Sequence, residues 1–134
     1  MFNLPYHSVC TTSTHDMTPL RNWWKEDPEK TQRYYNHVLQ RIGEAPDECT
    51  AEIVAQIISN HLKTRSMLTI IPLQDWFAMD DSIKRKDIES ERIIVPANST
   101  HYWRYRMHIT LEQLLQADNL NNKIVSLIKE AGRK

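Results

Sequence analysis

Two short runs rich in β-branched and apolar residues, 8–12 (Ser-Val-Cys-Thr-Thr) and 67–73 (Met-Leu-Thr-Ile-Ile-Pro-Leu), flank a stretch with helical periodicity. This strand, helices, strand order is the main constraint on the fold. Parallel strands cannot be joined by a tight turn and need a crossover, which a helix normally supplies and which is right-handed when it does. The chain therefore reads as an α/β unit. Pro72 marks where ladder pairing must cease, and the apolar run before it predicts a buried parallel strand.

The helices between the runs carry their own signals. Asp27-Pro28-Glu29-Lys30 offers an N-cap aspartate, a proline at the first helical position and an acid in the first turn. That helix is expected over 28–41, with Tyr34, Tyr35, Val38, Leu39 and Ile42 on the core side and Gly43 as the stop. A second is expected from Asp47 or Thr50 to Lys63, with Ile53, Val54, Ile57, Ile58 and Leu62 on one stripe. Residues 80–98 are charged and aperiodic, which predicts a solvated loop. Thr110 and Gln113 form a capping-box pattern ahead of Leu114 and Leu115. A last helix is expected over 121–131, ending at Gly132 and carrying Ile124, Val125, Leu127 and Ile128.

Only 2 of 134 residues are glycine, against an average usage of about 7%, so left-handed turns are rare and helices with prolyl loops dominate. A chain of this length with 40% hydrophobic residues can bury roughly two thirds of its unfolded surface, enough for one domain. Its 17 basic and 17 acidic side chains cancel, which removes the long-range attraction that nucleic-acid and anionic-membrane binders use. Cys10 and Cys49 lack paired spacing, which argues against a zinc site or a disulfide scaffold and for a reducing, cytoplasmic setting. No leader pattern and no span-length apolar run is visible, so no membrane association is expected. The six histidines show no metal-ligand spacing, and neither a metal nor a cofactor is expected.

Chemistry is expected where the strands end. Thr14-His15-Asp16 follows the first run just before a Thr-Pro helix start, and Gln74-Asp75-Trp76 follows the second. Barrel enzymes keep their catalytic groups at the carboxyl ends of parallel strands. Asp16 is accordingly the candidate catalytic residue, and His15, Gln74 and Asp75 are candidate substrate contacts. Each has a plainer reading: Asp16 as a helix cap, Asp75 as a cap of the short turn through Trp76. The four tryptophans are read chiefly as packing residues.

The segments Ser13-Thr14-His15-Asp16-Met17-Thr18-Pro19-Leu20-Arg21-Asn22-Trp23-Trp24, Pro72-Leu73-Gln74-Asp75-Trp76, Glu91-Arg92-Ile93-Ile94-Val95-Pro96-Ala97-Asn98 and His101-Tyr102-Trp103-Arg104-Tyr105-Arg106-Met107-His108 together resemble the 4-alpha-glucanotransferases, the amylomaltases of glycoside hydrolase family 77. The resemblance covers nearly the whole chain and is strongest to the long variant of the family. It departs at Ile94, where family members usually carry asparagine. The resemblance implies a (β/α)8 barrel with a nucleophile, a general acid/base and a third carboxylate that stabilises the transition state. Only that third acid has a match here, Asp16, with His15 as its neighbour. By this resemblance residues 1–134 are a C-terminal fragment of the TIM barrel, about its last two β/α units, predominantly helical with two short parallel strands. The partners implied are α-1,4-glucans, maltooligosaccharides and glucose, and the isolated piece is expected to be inactive.

Two strands cannot close a barrel, so self-association or domain swapping is expected of the fragment. The rival reading is a non-catalytic helical module. Tyr102-Trp103-Arg104-Tyr105-Arg106 alternates aromatics and arginines as a nucleic-acid binder would, but the balanced charge speaks against a nucleic-acid partner. A helical protein-binding module is the other form of that reading.

Overall fold

The structure, a computed structural model, describes residues 3–100 and 103–133. It is mainly helical with two parallel strands. The elements in order are β1 (Val9–Cys10), α1 (Leu20–Glu26), α2 (Pro28–His37), α3 (Ala51–Leu62), β2 (Leu68–Thr69), α4 (Leu73–Phe77), a 3-10 turn (Glu89–Glu91), α5 (Leu111–Leu115) and α6 (Asp118–Glu130). β1 pairs with β2 in parallel, Val9 opposite Leu68 and Cys10 opposite Thr69.

The helix starts follow the caps. Asp27 accepts from the Lys30 N–H, Thr50 from the Ile53 N–H, and Thr110 with Gln113 forms a full capping box. The centre of the core is α3, whose Ile53, Val54, Ile57, Ile58 and Leu62 are all buried. Trp24, Leu39, Phe77 and Leu120 pack around that stripe. The Trp24 indole N–H also donates to Pro46 O at 2.8 Å, so the largest core side chain keeps its polar atom satisfied. Removing one isoleucine side chain from such a site costs about 2–5 kcal/mol.

Four expectations need correction. First, α2 stops at His37 rather than near residue 41. The Asn36 side chain donates to Arg41 O and Gly43 O, Gln40 adopts a φ of 55° and Gly43 one of 94°, so a turn replaces the final helical turn. Leu39 is thereby carried into the core while Ile42 swings out, 98% exposed.

Second, β2 is short and is not buried. Side chains alternate across a strand, and Cys10 and Ile71 face the helices while Val9, Leu68 and Ile70 face outward, Leu68 48% and Ile70 58% exposed. Helices cover only one face of the two-stranded ladder. The apolar run predicts two buried faces, but the second, bearing Val9 and Ile70, opens onto a cleft that Met17 and Ile93 also line and stays more than half-exposed.

Third, residues 80–98 are not simply a solvated loop. Glu91 is buried and paired with Arg21 at 2.9 Å, which straps this segment onto α1. Fourth, the terminal helix begins earlier than expected and buries Leu120, with Ile124, Leu127 and Ile128 against the core and Val125 exposed. Beyond it Arg133 donates to the carbonyls of Leu62, Thr64 and Ser66, satisfying the end of α3 and the approach to β2.

Candidate functional site

The segment between β1 and α1 is where the strand tip opens. Residues 11–19 leave the ladder, with Thr11 Oγ1 donating to Ser13 O at 2.6 Å and a turn closed by the Met17 N–H on Thr14 O at 3.1 Å. His15 and Asp16 sit on this turn. Nε2 of His15 lies 3.1 Å from Oδ2 of Asp16, and the two side chains are 48% and 58% exposed. The His15 ring also packs on Trp103, centroid to centroid 4.6 Å at 44°.

Beside them a cleft of about 340 Å³ opens at the carboxyl end of the strand pair. Its walls are mostly apolar, from Val9, Met17, Pro19, Ile70, Pro72 and Ile93, and its polar groups come from Thr11, Ser13, Thr14, His15 and Gln74. A mainly apolar concavity with a few convergent polar groups is the usual form of a small-molecule site. Ile94, at the position where the resemblance leads one to expect asparagine, is half-buried and brings no side-chain polar atom.

Beneath the rim lies a buried polar floor. Asp75, from α4, is 1% exposed and accepts from Thr12 Oγ1 at 2.5 Å and from the Leu20 N–H at 3.0 Å. Leu20 is the first residue of α1, and Pro19 before it supplies no side-chain cap. Asp75 thus caps α1 from a different element, where the sequence left it between a substrate contact and a cap of its own turn. Burial raises its carboxyl above the usual range, opposed by the hydrogen bonds from Thr12 and Leu20. Neighbouring Gln74 donates to Glu91 O at 3.1 Å while also lining the cleft.

Arg21, the second residue of α1, donates to Glu91 Oε1 at 2.9 Å and to Arg85 O at 2.7 Å, and Asn22 donates to Glu89 Oε1 at 2.9 Å. Burial pushes the Glu91 carboxyl up to about 7, although Arg21 pulls it down. These contacts hold the strap that carries Ile93 to the cleft wall.

Of the sequence candidates, His15 and Gln74 line the cleft; Asp16 does not line it but lies against His15, half-exposed; Asp75 is buried and does not line it. Sequence reasoning missed Arg21, Glu91 and the contact of Trp103 with His15. Arg21 and Glu91 stand in the segments that carry the resemblance, but nothing in the sequence marked them as partners. Tyr102 and His101 lie outside the described residues. Of that row the two described aromatics are engaged internally: Trp103 packs on His15, and Tyr105 lies under the Arg85 guanidinium, 5.4 Å from the ring centroid, while Arg85 also donates to the Arg106 backbone carbonyl. Among the described residues no cluster of three or more metal-ligating side chains occurs, and no helix is long and apolar enough to cross a membrane.

Comparison with known proteins places these features in a family context. A family model described as 4-alpha-glucanotransferase matches residues 1–112. The chain is 38% identical over 128 residues to the 4-alpha-glucanotransferase DPE2 of Oryza sativa subsp. japonica, covering 96% of this chain and 14% of that protein. It is 30% identical over 123 residues to the 4-alpha-glucanotransferase of Chlamydia trachomatis serovar D, covering 90% of this chain and 22% of that protein. Among solved structures it superposes on the amylomaltase from Streptococcus agalactiae in complex with acarbose, with a TM-score of 0.71 and 18% identity over 98% of this chain and 23% of that one. The chain therefore spans less than a quarter of the length of each relative named here. At that identity the structural likeness speaks for the fold alone.

Proposed function

The chain belongs to the 4-alpha-glucanotransferase family, and from that membership we propose that it forms the carboxyl-terminal part of a catalytic (β/α)8 barrel, with residues 1–134 as about its last two β/α units. In that setting Asp16 is the transition-state-stabilising carboxylate of a retaining glucan transfer, and the whole enzyme moves an α-1,4-glucan segment onto the 4-hydroxyl of glucose or another glucan. The observation that carries this reading is the half-exposed His15–Asp16 pair just beyond the carboxyl end of β1, with His15 lining the adjacent cleft and Asp16 held against His15 outside that lining.

Retaining transfer uses two carboxyl groups about 5–5.5 Å apart, one forming a covalent glycosyl-enzyme and the other passing a proton to and from the leaving and attacking oxygens. Those two groups come from elsewhere in the longer protein. Asp16 does a different job: it accepts hydrogen bonds from sugar hydroxyls, and where such bonds tighten as the ring flattens toward an oxocarbenium-like state they contribute several kcal/mol to rate. His15 orients Asp16 through the 3.1 Å contact and donates to a neighbouring hydroxyl. Gln74 offers a further polar contact within the cleft. Transfer outruns hydrolysis because a second glucan occupies the position from which water would attack. The free, buried thiols of Cys10 and Cys49 fit a reducing, cytoplasmic location.

The assay is glucose release from maltotriose. The isolated chain should release none, while a full-length enzyme carrying this segment should turn over; activity of the isolated chain would refute the assignment of the nucleophile and acid/base to other segments.

A further inference from the structure

We propose that Asp75 is a positioning residue for the His15–Asp16 pair: its buried carboxylate, bonded to Thr12 on one side and to the Leu20 N–H on the other, fixes both ends of the segment that carries them. The inference rests on the reading of Asp16 as the glucan-contacting acid and adds the group that aims it.

Residues 12 and 20 bracket the rim turn. Between them the Met17 N–H donates to Thr14 O, the Thr18 hydroxyl donates to Glu26 of α1, Ser13 adds a further side-chain hydrogen bond to Asp75, and Pro19 contributes no donor. None of these bonds holds the His15 or Asp16 side chain directly, so the segment's ends must be fixed if two half-exposed side chains are to keep one geometry. Asp75 holds both ends with one carboxylate, an oxygen to each. Burying a carboxylate is costly, and an apolar residue in its place would leave the Thr12 hydroxyl and the Leu20 N–H without their acceptor. The floor then extends outward through Gln74 to Glu91 O and through Arg21 to Glu91, so the rim turn, α4 and the 85–91 strap are fastened to one another. Asp75 does not line the cleft, and its effect on substrate acts through the turn.

The test uses nuclear magnetic resonance on the full chain with Asp75→Ala, Asp75→Asn and Thr12→Val, the last removing the hydroxyl with little change in size. In Asp75→Ala the Leu20 amide should exchange about ten-fold faster while the Ile57 and Ile58 amides in α3 keep their protection. The His15 ring resonances should lose the shift imposed by Trp103. Asp75→Asn, which keeps an acceptor for the Leu20 N–H, should restore the Leu20 protection, and Thr12→Val should move the His15 resonances in the same direction as Asp75→Ala. If Asp75→Ala does not fold, Thr12→Val decides. A folded Asp75→Ala or Thr12→Val variant with native Leu20 protection and unmoved His15 resonances overturns the proposal. In a full-length enzyme carrying this segment Thr12→Val should lower kcat with KM nearly constant. Intact turnover of Asp16→Asn in that enzyme would defeat the reading of Asp16 and leave the clamp standing on its resonance data, so the two failures are distinct.

Discussion

The rim turn and the floor beneath it hold the same kinds of side chain under opposite conditions. Asp16 and His15 are half-exposed and touch each other, with His15 also packing on Trp103, whereas Asp75, Arg21 and Glu91 are buried and their polar atoms bond to backbone, to Thr12 or to each other. A charge left open to solvent is available to a ligand and adds little to folding. A charge sealed among partners fixes chain geometry and is expensive to disturb. Function and stability should therefore separate by depth over a few residues of sequence, Asp16 on one side and Arg21 on the other.

The largest effect should come from the floor. Arg21→Met leaves Glu91 buried without its cation, and breaking such a pair from one side costs about 3–5 kcal/mol, read as a lower midpoint in urea unfolding. A midpoint within error of the wild type would break the comparison. Next in size is a pH effect. Folding raises Glu91 from 4.5 to about 7, so the folded state favours its protonated form; the contribution is full below pH 4.5 and is lost as pH rises through 7. Asp75, also raised by burial, acts in the same sense. Thermal stability should fall between pH 4.5 and 7, and Glu91→Gln should flatten that slope; an unchanged slope would show that Glu91 is not the group responsible.

The sequence was most legible where local chemistry decides structure. Asp27, Thr50 and Thr110 announced their helices because a cap needs only residues three positions apart, and the α3 stripe was visible because burial on one face leaves a period in the chain. The end of α2 was not legible, since the Asn36 contacts to Arg41 O and Gly43 O replace helical bonds with no pattern in the spacing. Nor was the exposure of β2, whose composition reflects two covered faces where the described residues supply one. At the site, Thr14-His15-Asp16 could be read because a strand end followed by a helix start defines a place for a side chain to emerge. The role of Asp75 could not, because its partners Thr12 and Leu20 are more than fifty residues away in the chain. Glu91 was hidden for the same reason: its partner Arg21 belongs to another element, and its neighbours in sequence are charged.

The measurement that bears most directly on this account is turnover and thermal midpoint determined together for Asp16→Asn in a full-length enzyme carrying this segment. The exposed position of Asp16 predicts an unchanged midpoint, and its proposed role predicts turnover on maltotriose lower by roughly a hundred-fold or more. Near-normal turnover, or turnover lost only in step with the fold, would contradict it.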